Sequence, residues 1–220
     1  MPPSHAVRGL RRAELITIDP EAAVRFHRAL LDWLVLPSEE GIDCWVGERR
    51  CAVVREPGDG ERPGWSLVFA GSADDDLLRG PAGTCATTAK GRVQHGPWAP
   101  KPRRGEPCWV ELCTEDADEA DAFWSERLNW SATRNSADTT YSVEDRPIAS
   151  RAARPELGDR AAWSCYFVVT DLDRAAEQVR ELGGSLLGRF EHPVVGEAVL
   201  IADLEGAVCA LTGKTESWGG

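Results

Sequence analysis

Residues 107–113, Pro-Cys-Trp-Val-Glu-Leu-Cys, alternate between two kinds of side chain: Val110 and Leu112 on one side, Trp109, Glu111 and Cys113 on the other. This is the pattern of a strand lying between two unlike surroundings. Beyond it Ala120, Phe123, Trp124 and Leu128 recur at three- and four-residue steps, which predicts an amphipathic helix capped by Asp116 or Asp118. The same phrase stands near the start of the chain. ELITIDPEAAVRFHRALLDW (14–33) against ELCTEDADEADAFWSERLNW (111–130) pairs Glu14 with Glu111, Asp19 with Asp116, Phe26 with Phe123 and Trp33 with Trp130. With one extra residue the register continues to Pro57/Pro155 and Trp65-Ser66/Trp163-Ser164. A register sustained over that length marks a tandem duplication.

Residues 163–184, WSCYFVVTDLDRAAEQVRELGG, repeat the arrangement: an aromatic and β-branched run, a capping Asp171, then a helix with Ala175, Val179 and Leu182 as its stripe and Gly183-Gly184 as its stop. Short strands are predicted at TTYSVED, RPIASRAA, SLLGRF, EAVLIAD and GAVCALT. Strand, helix, then three strands is an α+β pattern of curved mixed sheets with helices on one side. It divides the chain at 1–104 and 105–220. Residues 71–106 are rich in proline and hold no alternating run long enough for closing strands, so the first half reads as partly eroded.

A net charge of −11 opposes nucleic acid and anionic membranes, and the basic runs at 8–12 and 101–104 read as solvated linker charge. The start of the chain lacks the apolar stretch of a signal peptide, and no run is long enough to span a bilayer. The seven cysteines are scattered without a CxxC, which suits free thiols in a reducing, cytoplasmic setting. There is no phosphate-binding loop, HExxH or nucleophile elbow. What remains is binding, or acid–base chemistry without a metal.

The βαβββ pattern, the helix with Asp116, Asp118, Ala120 and Phe123, the segment YFVVTDLDRAAEQVRELGG and the closing ADLEGAVCALT resemble the vicinal-oxygen-chelate superfamily. That superfamily includes glyoxalase I, extradiol dioxygenases, fosfomycin-resistance proteins and bleomycin-binding proteins. The resemblance covers 107–213 and 10–70. It implies tandem βαβββ modules whose sheets form a cup, usually holding a divalent metal on His, Gln or Glu. By register the ligand positions fall on Trp109, on Ser150 or Arg151, on Cys165 and on Ala210, and in the first half on Arg12. Indole and methyl groups cannot ligate, a guanidinium repels a cation, and one thiol is not a site. The histidines at 5, 27, 95 and 192 share no strand or helix face. The cup is therefore expected to hold no metal and no other cofactor.

Within that cup strand alternation places Trp109, Glu111 and Cys113, and the same register turns Trp163, Cys165 and Phe167 inward beside Tyr141. Glu14 and Trp45 hold matching places in the first half. Nine tryptophans suit a bulky, partly aromatic ligand, with core packing as the competing role. Glu111, losing hydration on a concave face, is expected to have a raised pKa and to move a proton. Its competing role is a salt bridge to an arginine such as Arg151, which would itself orient a polar ligand group. Three functions follow. The first is metal-independent isomerisation, cyclisation or elimination on a specialised metabolite. The second is sequestration of a toxic metabolite, and the third is a metal-dependent glyoxalase or dioxygenase. The expected partner is a small molecule, and the expected state a monomer or homodimer.

Overall fold

A computed structural model describes residues 6–71, 75–135, 138–157, 161–214 and 218–219, so His5 lies outside the described residues. The first sheet begins with β1 (Gly9–Ile16) and α1 (Pro20–Leu31). Asp19 fixes the start of that helix, accepting from the Ala22 amide at 2.9 Å, while Pro20 has no N–H to satisfy. β2 (Leu34–Ser38), β3 (Gly41–Val46) and β4 (Arg49–Arg55) complete the module, and β5 (Gly64–Ala70), β6 (Asp76–Arg79) and β7 (Cys85–Ala89) extend it. The strand order is β2-β3-β4-β1-β5-β7-β6.

The second sheet repeats the plan in full. β8 (Pro107–Cys113), α2 (Ala117–Leu128), β9 (Ser131–Arg134), β10 (Asp138–Val143) and β11 (Arg146–Ala152) form one module. β12 (Ala162–Val168), α3 (Leu172–Glu181), β13 (Ser185–His192), β14 (Gly196–Ala202) and β15 (Val208–Thr212) form the next. Asp116 and Asp171 cap their helices as Asp19 does. The order is β13-β14-β15-β12-β8-β11-β10-β9, and both sheets are mixed. β1 lies parallel to β4 and antiparallel to β5, as β8 does to β11 and β12. Among the described residues no helix is long and apolar enough to cross a membrane.

The first half is partly eroded, as expected. Two strands, β6 and β7, close its sheet where β13, β14 and β15 close the second. The Cys-Ala-Thr-Thr-Ala run of β7 is too short and small to show an apolar alternation, but it pairs in parallel with β5 and so inherits its geometry. Among the described residues nothing between β5 and β6 corresponds to α3 or β13. The uncovered face of β5 packs directly on the second sheet instead. Trp65 meets Phe167 and Phe69 meets Trp163, with ring centroids 5.3 and 5.5 Å apart. Both sheets thus share one core.

Polar contacts seal the seam. His27 of α1 bonds Asp203 at 3.2 Å, both buried, and Glu205 accepts from Thr17 Oγ1 and from the amides of Ile18 and Asp19. Arg49 of β4 holds the connecting segment by donating to the carbonyls of Pro100 and Lys101 and to Glu106.

Candidate functional site

On the second sheet, register decides which side chains share the face turned away from the helices. Glu111 stands opposite Ser150 of β11 and Ser164 of β12, and Trp109 stands opposite Tyr166. Directly opposed residues project to the same face. Trp109, Glu111 and Cys113 therefore share one face with Ser150, Ser164, Tyr166 and Ala210, and all of them are buried.

Trp163, Cys165 and Phe167 do not. They are one residue out of register with the expectation and lie on the helix-side face, where Trp163 packs on Trp124 of α2 and Phe167 on Trp33. Tyr141 and Arg151 share that side. Both bond Asp121 of α2, through Tyr141 Oη at 2.7 Å and Arg151 Nε at 2.8 Å. Arg151 is thus committed elsewhere and is not the partner of Glu111. Glu14 and Trp45 belong to the other sheet, where Glu14 is held by Arg12 and Arg55.

Glu111 is 1% exposed and completely engaged. Arg154, two residues past β11, grips it bidentately, Nε to Oε2 at 2.7 Å and Nη2 to Oε1 at 2.8 Å. Tyr166 Oη donates to Oε2 at 2.8 Å, and Ser150 Oγ donates to Oε1 at 3.2 Å while accepting from Trp109 Nε1. His192 Nε2 lies 3.0 Å from Oε1. Its Nδ1 accepts from the amides of Val194 and Val195 at 3.0 and 3.2 Å, so the ring proton sits on Nε2 and is donated to Glu111. Trp218 covers the Trp109 end, with ring centroids 5.9 Å apart, and at the other end Arg154 lies 4.1 Å above the Phe190 ring.

These partners reverse the expected pKa of Glu111. Burial alone would raise it, but the bonds from His192 and Arg154 and the guanidinium charge outweigh burial and bring it down to about 2. The neighbouring Cys113 thiol is pushed well above its usual range by burial and then by the Glu111 carboxylate. Tyr166 is raised for the same two reasons.

The donor set does not fit a divalent ion. Both oxygens of Glu111 face a guanidinium, and the His192 nitrogen turned toward it carries the proton and has no lone pair to offer. The one nearby thiol, Cys113 Sγ at 3.9 Å from Oε2, is held protonated. Among the described residues no group of three or more His, Cys, Asp or Glu is arranged to hold a metal. The sequence pattern does not single out Arg154, Tyr166 or Trp218 as neighbours of Glu111. A signal for Tyr166 is present in it, since the repeated Trp-Ser dipeptide sets Ser66 opposite Glu14 and Ser164 opposite Glu111.

The family model for a glyoxalase-like domain matches residues 109–212. Residues 109–212 are a glyoxalase-like domain of the vicinal-oxygen-chelate superfamily. Solved structures align the glyoxalase-like domain and the preceding half together. A catechol 2,3-dioxygenase is 12% identical with a TM-score of 0.64, covering 98% of this chain and 94% of that one. The Mn(II)-bound glyoxalase from Novosphingobium aromaticivorans is 10% identical with a TM-score of 0.63, covering 100% and 85%. The 2,3-dioxygenase LapB from Pseudomonas sp. KL28 is 14% identical with a TM-score of 0.58, covering 96% and 91%. At these identities the likeness is one of fold. No curated protein matches the sequence significantly.

Proposed function

We propose that this chain binds a bulky, partly aromatic small molecule at the cup of its glyoxalase-like domain without a metal, and sequesters it rather than transforming it. The state of Glu111 carries this reading. A carboxylate saturated by Arg154, Tyr166, Ser150 and His192, with its pKa near 2, has neither a vacant oxygen nor the basicity to take a proton from a ligand. The guanidinium of Arg154 over Phe190 offers a flat, cationic edge at the cup, suited to an aromatic ligand with an acidic or polar substituent. Native mass spectrometry with elemental analysis tests it. A co-purifying organic ligand, recovered chemically unchanged after incubation, is the expected result. Turnover of that ligand, lost in Glu111→Gln, would restore acid–base catalysis.

A second reading, a metal-dependent glyoxalase or dioxygenase, is favoured by the whole-chain likeness to the Mn(II)-bound glyoxalase and by the meeting of Glu111 with His192. It requires Arg154 to leave Glu111 and His192 to move its proton to Nδ1. A stoichiometric metal retained through dialysis is its signature.

A further inference from the structure

The face of the second sheet that bears Glu111 is roofed at one end by a residue that belongs to no strand or helix. Trp218 lies beyond β15, 1% exposed, with its ring against that of Trp109. Its Nε1 donates to the carbonyl of Ile148 at 3.2 Å, the long end of the usual range. Trp33 and Trp130, which follow α1 and α2, donate to backbone carbonyls at 2.7 Å. The acceptor of Trp218 is supplied by a β-bulge. Pairing of β10 with β11 passes from Tyr141 and Ala149 to Ser142 and Pro147, so Ile148 is the extra residue. Gly219 then presses the backbone onto the connecting segment, where a Cβ would lie 2.6 Å from Lys101 Cα. Its φ of +91° is one that glycine adopts freely.

From this we infer that Trp218 is a displaceable occupant of an aromatic subsite. The ligand of the cup replaces it with a flat, fused-ring aromatic of indole size, set against Trp109, whose edge carries an N–H or O–H donor for the Ile148 carbonyl. The inference rests on the reading that a partly aromatic molecule binds at this cup, and it supplies the way into a face whose side chains are buried. Trp109 and Ile148 are fixed in β8 and β11, whereas Trp218 lies outside the sheet, so its departure breaks no ladder hydrogen bond. The exchange is one of like for like: a ring for a ring on Trp109 and a donor for a donor on the carbonyl. Net affinity then comes from the groups of the ligand that reach beyond the place of Trp218.

The probe is indole. The full chain is labelled with fluorotryptophan, and the Trp218 resonance is identified by its loss in Trp218→Phe. Added indole should move that resonance to a solvent-exposed position, while those of Trp124 and Trp163 stay in place. By calorimetry Trp218→Ala should bind indole about ten-fold more tightly than the unaltered chain, because no resident ring competes. It should bind N-methylindole, which has no N–H to give Ile148, about five-fold more weakly than indole. Near-ultraviolet circular dichroism reports the fold, and should Trp218→Ala fail to fold, the Trp218 resonance of the unaltered chain decides. A resonance that indole leaves in place overturns the inference. So does a folded Trp218→Ala that binds indole no more tightly than the unaltered chain, or that does not distinguish indole from N-methylindole. An organic ligand that co-purifies while Trp218 stays buried overturns it as well and leaves the reading above standing. Turnover of such a ligand with Trp218 released overturns sequestration and leaves the subsite.

Discussion

Glu14 and Glu111 occupy matching positions of β1 and β8, each opposite a serine of the antiparallel neighbour, yet their surroundings differ. Glu14 is bridged by Arg12 and Arg55, all three reached by solvent at 11, 12 and 23% side-chain exposure, whereas Glu111 is 1% exposed. Water reaches the first carboxylate more than the second and screens its pairs more. Glu111→Gln is therefore expected to cost about 3–5 kcal/mol, because it leaves Arg154 without its counter-charge. Glu14→Gln should cost about 1 kcal/mol. Urea unfolding of the two variants, compared with the unaltered chain, gives both numbers. Equal losses would show that the two sites are energetically alike.

Acid should expose the same difference. The carboxyl of Glu111 falls from 4.5 to about 2 on folding, so its contribution to stability is complete above pH 4.5 and is lost as pH falls toward 2. The stability gap between the unaltered chain and Glu111→Gln should stay constant from about pH 6 to 8 and shrink through that acid window. A gap that widens on acidification would mean that burial, not the ion pair, governs the group.

Trp163 should behave as core rather than as a ligand wall. It is 3% exposed and packed among Phe69, Trp124 and Trp130. Trp163→Ala is expected to lower stability by about 3–5 kcal/mol by opening a void between the sheets. A urea midpoint close to that of the unaltered chain would contradict this placement.

Glu205 offers a local readout of the seam. Its carboxylate accepts from Thr17 Oγ1 at 2.6 Å, the Ile18 amide at 3.2 Å and the Asp19 amide at 3.1 Å. In Glu205→Ala those two amides should exchange with solvent about ten-fold faster or more, with a stability loss of about 1–3 kcal/mol. Unchanged protection at Ile18 and Asp19 would remove Glu205 from the seam.

The repeated openings are legible in the sequence because they are local. Asp19, Asp116 and Asp171 are each followed by a helix whose first amides they cap, and Trp33 and Trp130 close the same unit twice. The face of β12 differs from expectation by one residue for a physical reason. From Trp163 to Val168 every side chain is buried, so alternation between apolar and polar faces, the usual signal of orientation, is absent. Only its pairing with β8 reveals which face is which. The pKa of Glu111 lies beyond local pattern as well. Burial is legible in a strand, but the bonds that overcome it come from Arg154, Tyr166 and His192, brought together by three different strands and their ends.

The bare face of β5 also bears on heredity. A duplicated gene ordinarily keeps the option of splitting, each copy encoding a body that stands alone. Here Trp65 and Phe69 find their cover in Phe167 and Trp163 of the other copy, in the space that a helix after β5 would fill. A shortened gene ending near residue 104 would present that aromatic surface to water and invite association. The second copy thus serves the first as the cover that no helix after β5 supplies among the described residues.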